Sequence, residues 1–286
     1  MSATVLALVL FGALLHAGWN SVIKAGADKA LDMALMRLAG LLLALPVLAW
    51  TGWPAPAAWP WLLLSGCIHF GYYYLLANAY ERGQLSTVYP VMRGVAPVLV
   101  AWLGWTWLGE PFSPWAGWGV AAVALGVLGL GLQGWHRPGG LAQRHWLLWA
   151  LLNACVIAAY TLTDARGVRA SGNAAAYVMS LALLEAPPFA LWVAWRRRRQ
   201  GAALLATVRR RWPWALGGAA ASLASYGIAL WAMTQAPVPL VAAARETSVL
   251  FAVLLGGLLL REPLGLRSWL AALSVVAGLG LLRLAH

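Results

Sequence analysis

Ser86–Pro111 reads STVYPVMRGVAPVLVAWLGWTWLGEP, an apolar run long enough to cross a bilayer as a helix that nevertheless carries a permanent charge at Arg93. An arginine inside a membrane costs several kcal/mol unless it faces a wet cavity or a partner, so a working position is its default reading. The arrangement returns 152 residues later in Val238–Pro263, with Arg245 opposite Arg93, Gly256 opposite Gly104, and LREP opposite LGEP. The register extends without a gap from Pro60–Leu130 to Trp212–Leu282 and also matches Tyr74 with Tyr226 and Gly126 with Gly278. Leucine and alanine matches mean little in so apolar a chain, but Arg, Tyr and Glu-Pro matches point to an internal duplication.

The composition agrees with a membrane location. Of 286 residues 62% are hydrophobic and only 10% charged, too few to coat a soluble globule. Ten spanning segments are predicted, at roughly 3–24, 32–51, 58–80, 87–108, 114–133, 145–165, 173–195, 211–235, 237–260 and 265–284. The expected fold is an all-α polytopic membrane protein with ten transmembrane helices in two five-helix repeats, 1–135 and 136–286. An odd number of spans per repeat inverts the second relative to the first, a common ground plan of secondary transporters. The first segment lacks the basic start of a cleaved signal and is expected to stay in the protein.

Apart from Arg93 and Arg245, 15 of the other 18 Lys and Arg fall on the side of the odd-to-even loops and 3 on the side of the termini. The positive-inside rule then puts both termini outside the cytoplasm. The net charge of +12 is concentrated at Arg196–Arg199 and Arg209–Arg211, which reads as a topology signal at anionic headgroups and not as a nucleic-acid surface. Cys67 and Cys155 lie inside spans and are expected to pack there. Many of the 19 tryptophans sit near span ends, as interfacial anchors do.

Polar residues recur at helical spacing. In the first segment His16, Trp19, Asn20 and Lys24 share a face, and the sixth has a counterpart stripe of Asn153, Tyr160, Thr161 and Asp164. The third carries His69 and the triplet Tyr72, Tyr73, Tyr74, of which Tyr74 is expected to face inward because its repeat counterpart is Tyr226. Tyr89 lies one turn before Arg93, while Pro90 and Pro97 bracket the arginine and invite a kink. In the ninth segment Arg245, Glu246, Thr247 and Ser248 are flanked by small residues. Glu185 lies deep in the seventh, either paired with Arg37 or protonated. The Glu110-Pro111 and Glu262-Pro263 pairs suit the first turn of the helices that follow, and the glycine-rich fifth and tenth segments read as peripheral scaffold.

These residues resemble the drug/metabolite transporter superfamily, in particular its ten-helix EamA-like branch. The resemblance rests on HAGWNSVIKAGAD (His16–Asp28), GQLSTVYPVMRGVAPVL (Gly83–Leu99), the LGEP and LREP joints and VAAARETSVLF (Val241–Phe251). It implies a cavity enclosed by helices 1–4 and 6–9, alternating access, and transport or export of amino acids or other small metabolites by a multi-pass protein of the bacterial inner membrane. The chain departs from small four-helix relatives, which expel cationic drugs with a glutamate in the first helix, where this chain has His16. It also departs from the cytoplasmic termini usual for the family.

The favoured substrate is a small solute with a carboxylate or similar anionic group, held by Arg93 and Arg245 and packed by Trp19, Tyr74, Tyr89, Tyr160 and Tyr226, with His16 and Asn20 beside them. The alternative is a neutral or cationic compound bound through the aromatic lining and Glu246, with the arginines neutralised internally. Glu246 first, then Glu185 and Asp164, are candidates for coupling to protons. Two further readings are a non-transporting membrane protein and an enzyme acting on lipid-linked groups, but the five histidines lack metal spacing and there is no Gly-rich phosphate loop, so no cofactor, metal or enzymatic activity is expected.

Overall fold

The computed structural model describes residues 1–24, 26, 28–82, 85–131, 145–199, 201–260 and 265–284. Within them the chain forms eleven α-helices: α1 Ala3–Lys24, α2 Lys29–Thr51, α3 Trp59–Arg82, α4 Leu85–Leu108, α5 Pro114–Gly131, α6 His145–Ser171, α7 Ala174–Arg197, α8 Gly201–Gln235, α9 Val238–Arg245, α10 Thr247–Leu260 and α11 Leu266–Leu284. Among the described residues there is no strand. The Glu262-Pro263 joint and the side chain of Lys24 lie outside what is described.

Among the described residues seven stretches are long and apolar enough to cross a membrane, and α5 and α11 supply two shorter apolar ones. The third predicted segment is not among them: α3 spends its length on His69, three consecutive tyrosines and Asn78, which dilute its apolar character. Large apolar side chains such as Trp102, Trp118, Leu191 and Leu273 stand exposed on the outside of the bundle, as expected of a surface that meets lipid. Cys67 and Cys155 are also exposed, so the expectation that they pack in the interior is corrected.

The halves interleave. α1 packs on α8 and α3 on α6, two contacts that exchange when the halves are swapped, while α2 meets its counterpart α7 and α5 meets its counterpart α11. The α5–α11 crossing is close because it is built on glycine. A Cβ on Gly126 would stand 2.8 Å from the Ala271 carbonyl oxygen, and one on Gly278 would stand 2.8 Å from that of Gly119.

Local chemistry sets the helix ends. Asp28 caps α2 by accepting from the Leu31 N–H at 3.1 Å, and Asn173 caps α7 by accepting from the Ala176 N–H at the same distance. After α4 the LGEP joint turns at Gly109, whose φ of 66° suits glycine. The two prolines of α4 do not break it. The helix runs unbroken through Pro90 and Pro97, since each proline forfeits one bond and the flanking turns survive. The interruption falls instead in the ninth predicted segment, between Arg245 and Thr247, where no proline is present. There the Glu246 N–H bonds the Ala243 carbonyl at 3.0 Å, and the Thr247 hydroxyl donates to the Ala244 carbonyl at 2.8 Å, tightening one turn.

Candidate functional site

The tightened turn sends two consecutive charges in different directions. Glu246, buried at the α9–α10 junction, reaches α4, where its Oε2 stands 2.8 Å from Arg93 Nε. The pair is close but poorly directed: neither Nε nor Oε2 completes a hydrogen bond of good geometry. Arg245 turns toward α8, its guanidinium carbon 5.3 Å from the centre of the Tyr226 ring. Among the described residues Arg245 has no carboxylate partner.

Across the interior, Arg37 of α2 donates from Nη1 to Glu185 Oε1 of α7 at 3.1 Å, and the Tyr73 hydroxyl donates to Glu185 Oε2 at 2.9 Å. The Arg37 guanidinium also lies 5.1 Å from the Tyr73 ring centre. Of the two readings open for Glu185, the geometry selects the ion pair with Arg37.

Between these groups lies a cavity of about 90 Å³. Its lining includes His16, Trp19, Asn20, Tyr72, Tyr73, Tyr89, Arg93, Tyr160, Tyr226 and Arg245, and it reaches from mid-bundle to the exposed Lys29 at the start of α2. The end toward the chain termini is filled by packed side chains including Leu62, Leu162, Tyr177, Leu181 and Met233. Arg169 seals that end, donating to Glu110 Oε1 at 2.6 Å and to the Met233 carbonyl at 2.9 Å. The Lys29 end is braced by Arg211, which donates to both oxygens of Asp32 at 2.7 and 2.5 Å, and by Arg197, 2.7 Å from Asp28.

Aromatic rings dominate the walls. His16 and Trp19 meet edge to face at 4.9 Å between centroids, and His69 stacks on Tyr160 at 4.3 Å. Asn20 donates to its own helix, at 2.8 Å from the His16 carbonyl. Trp19 Nε1, Arg37 Nε and Arg93 Nε are buried without a hydrogen-bond acceptor, so the fully buried lining atoms that lack a partner are donors.

Tyr74 is not part of this lining. It is 50% exposed and meets Trp149 edge to face at 6.4 Å, so its expected inward position is corrected. Successive helical residues step by about 100°. The hydrogen bond of Tyr73 to Glu185 fixes the phase of α3, which leaves Tyr72 on the cavity and turns Tyr74 outward. The lining residues that sequence reasoning did not assign to the site include Lys29, Met33, Ser222 and, from the tyrosine triplet, Tyr72 and Tyr73. For Tyr73 the available signal was the Arg37–Glu185 option, since Tyr73 meets both partners.

Asp164 lies behind the lining. It is fully buried on α6, accepting from the Tyr177 hydroxyl at 2.8 Å through Oδ1 and from the Tyr226 hydroxyl through Oδ2. Asn153, lower on the same stripe, is buried against Met92.

No curated protein matches the chain. A solved structure described only as "Crystal structure of protein" is similar at a TM-score of 0.79, covering 100% of both chains at 15% identity, a likeness of fold. The model of the EamA-like transporter family matches residues 3–132 and again 144–284. With both halves matched, and with charged and aromatic side chains gathered round an interior cavity, the chain belongs to the EamA-like transporter family.

Proposed function

We propose that the protein is a secondary transporter, working in export by alternating access, for a small organic solute with a carboxylate, such as an amino acid or another metabolite. In this reading ten spans form two inverted five-helix repeats, 1–135 and 136–286, in a bacterial inner membrane, with both termini outside the cytoplasm. The exchange of helix contacts between the halves supports the repeat, and the 15 to 3 distribution of Lys and Arg supports the orientation.

One observation carries the choice of substrate. Arg245 enters the cavity without a carboxylate partner among the described residues, beside buried lining donors that lack an acceptor. An anion supplies what these groups lack, and a guanidinium fork suits a carboxylate. The alternative, a neutral or cationic solute, requires internal partners for the arginines. Glu185 and Glu246 provide them for Arg37 and Arg93, but among the described residues Arg245 has no carboxylate partner. Arg245 is therefore the primary contact, with Arg93 contributing behind Glu246 and the rings of Trp19, Tyr72, Tyr160 and Tyr226 packing the apolar part.

A thermal-shift screen of the purified protein against carboxylates, neutral solutes and organic cations tests this. A ligand at 100 times its Kd adds about 2.7 kcal/mol of stability. The expected hits are carboxylates whose effect disappears in Arg245→Gln; stabilisation by cations alone, retained in that variant, would give the site to the alternative. For orientation, a C-terminal reporter active only in the cytoplasm should stay silent.

A further inference from the structure

Among the described residues five carboxylates are buried, and four of them meet an arginine: Asp32 with Arg211, Glu110 with Arg169, Glu185 with Arg37, and Glu246 with Arg93. The fifth, Asp164, meets hydroxyls. Taking up a proton at any of the four breaks an ion pair, and breaking a buried pair is costly. At Asp164 it breaks none. A proton there only exchanges one hydrogen-bond direction for another, since a phenol hydroxyl can donate or accept.

Asp164 is also wired to the cavity. The hydroxyl of Tyr226 bonds its Oδ2, the Tyr226 ring lines the cavity, and the guanidinium of Arg245 lies over that ring. We propose that Asp164 is the proton site of the transport cycle, taking up one proton through the Tyr226 hydroxyl when an anionic solute settles on Arg245. This rests on the reading of Arg245 as the carboxylate contact. In the empty cavity Asp164 is joined to Arg245 through Tyr226, whose hydroxyl bonds Oδ2 and whose ring lies under the guanidinium. A solute carboxylate settling on Arg245 adds a negative charge beside that linkage, and a proton on Asp164 cancels it. Tyr226 passes its hydroxyl proton to Oδ2 and regains one from the cavity, so the phenol is unchanged. Solute and proton then move together, and export runs down the solute's own gradient.

Other groups face the acid from the surrounding helices. Tyr177 comes from α7, and Ser65 and His69 from α3, with His69 Nδ1 3.0 Å from the Ser65 carbonyl oxygen. From α4, Arg93 acts on Tyr160 and is occupied by Glu246. His69 is thus the competing proton carrier.

Infrared difference spectroscopy between acidic and alkaline buffer, on the full-length protein in liposomes, reads the carboxylic C=O stretch without any ligand. The expected band titrates, moves when aspartate is labelled with carbon-13, persists in Glu185→Gln and Glu246→Gln, and is absent from Asp164→Asn. The labelling uses the wild-type chain, so it decides even if Asp164→Asn does not insert. Arg245→Gln, which mimics a neutralised arginine, should make Asp164 hold its proton about tenfold more tightly. No titrating band that follows the aspartate label, a band that survives Asp164→Asn, a titration indifferent to Arg245→Gln, or an imidazole signal lost only in His69→Gln would each overturn the proposal. If carboxylates fail to bind while the band behaves as expected, the substrate reading fails and the proton site stands; the reverse result sinks the proton site alone.

Discussion

Arg93 and Arg245 stand at equivalent places of the repeat, 152 residues apart, yet one is buried against Glu246 and the other lies half-buried over a tyrosine ring. The residue after each explains the difference. The first half has Gly94 where the second has Glu246. A Cβ on Gly94 would stand 2.6 Å from Leu128 Cγ and 3.1 Å from the Ala124 carbonyl oxygen, so α5 leaves no room there for an acid. Two arginines share one glutamate, and the glutamate goes to the arginine of the opposite half. Duplication supplies the symmetric scaffold; a single steric exclusion makes its centre electrically lopsided, and that imbalance is what a carboxylate can answer.

The largest expected effect comes from breaking the pair. Glu246→Ala leaves Arg93 buried and alone and should cost about 3–5 kcal/mol in detergent unfolding, while Arg93→Met with Glu246→Leu should recover most of it. If the single variant unfolds like the wild type, Glu246 is not the partner that matters. Next comes the unpaired arginine. Arg245→Gln should weaken carboxylate binding by about 1.5–3 kcal/mol, tenfold or more in Kd, with a far smaller change in stability than Glu246→Ala produces. Equal losses of stability in both variants would erase the distinction between the two arginines.

Gly94→Ala should cost about 1–3 kcal/mol by overpacking against Leu128, and adding Leu128→Ala should return part of it. A neutral Gly94→Ala would mean that α4 and α5 are not held at this distance. At the small end, Tyr74→Phe should lie within about 0.5 kcal/mol of wild type in stability and leave Kd unchanged. A clear loss of binding there would put Tyr74 back beside its counterpart Tyr226.

Much of this was legible because it depends on composition and period. The helices, most of the spans, the repeat and the two arginines are written as apolar runs and scarce residues at fixed spacing, and the Arg37–Glu185 pair appears as one of two options. What escaped depends on phase and on partners from distant segments. Three consecutive tyrosines announce that some face inward, but a hydrogen bond to Glu185 decides which. Two prolines advertise a kink in α4, yet the tightened turn formed beside Glu246, where Thr247 bonds back to the backbone. Arg93 and Glu246 are 153 residues apart, and nothing local marks them as partners.

The glycine crossing of α5 and α11 also bears on the order of assembly. α5 is complete at Gly131, but the helix it packs against begins at Leu266, 135 residues later. At roughly 5–20 residues per second of synthesis, that gap lasts on the order of ten seconds. Throughout it the notch at Gly119 and Gly126 has only lipid or a foreign helix to meet. α11 thus closes a seam opened early, and a chain truncated before it would leave the glycine face of α5 uncovered.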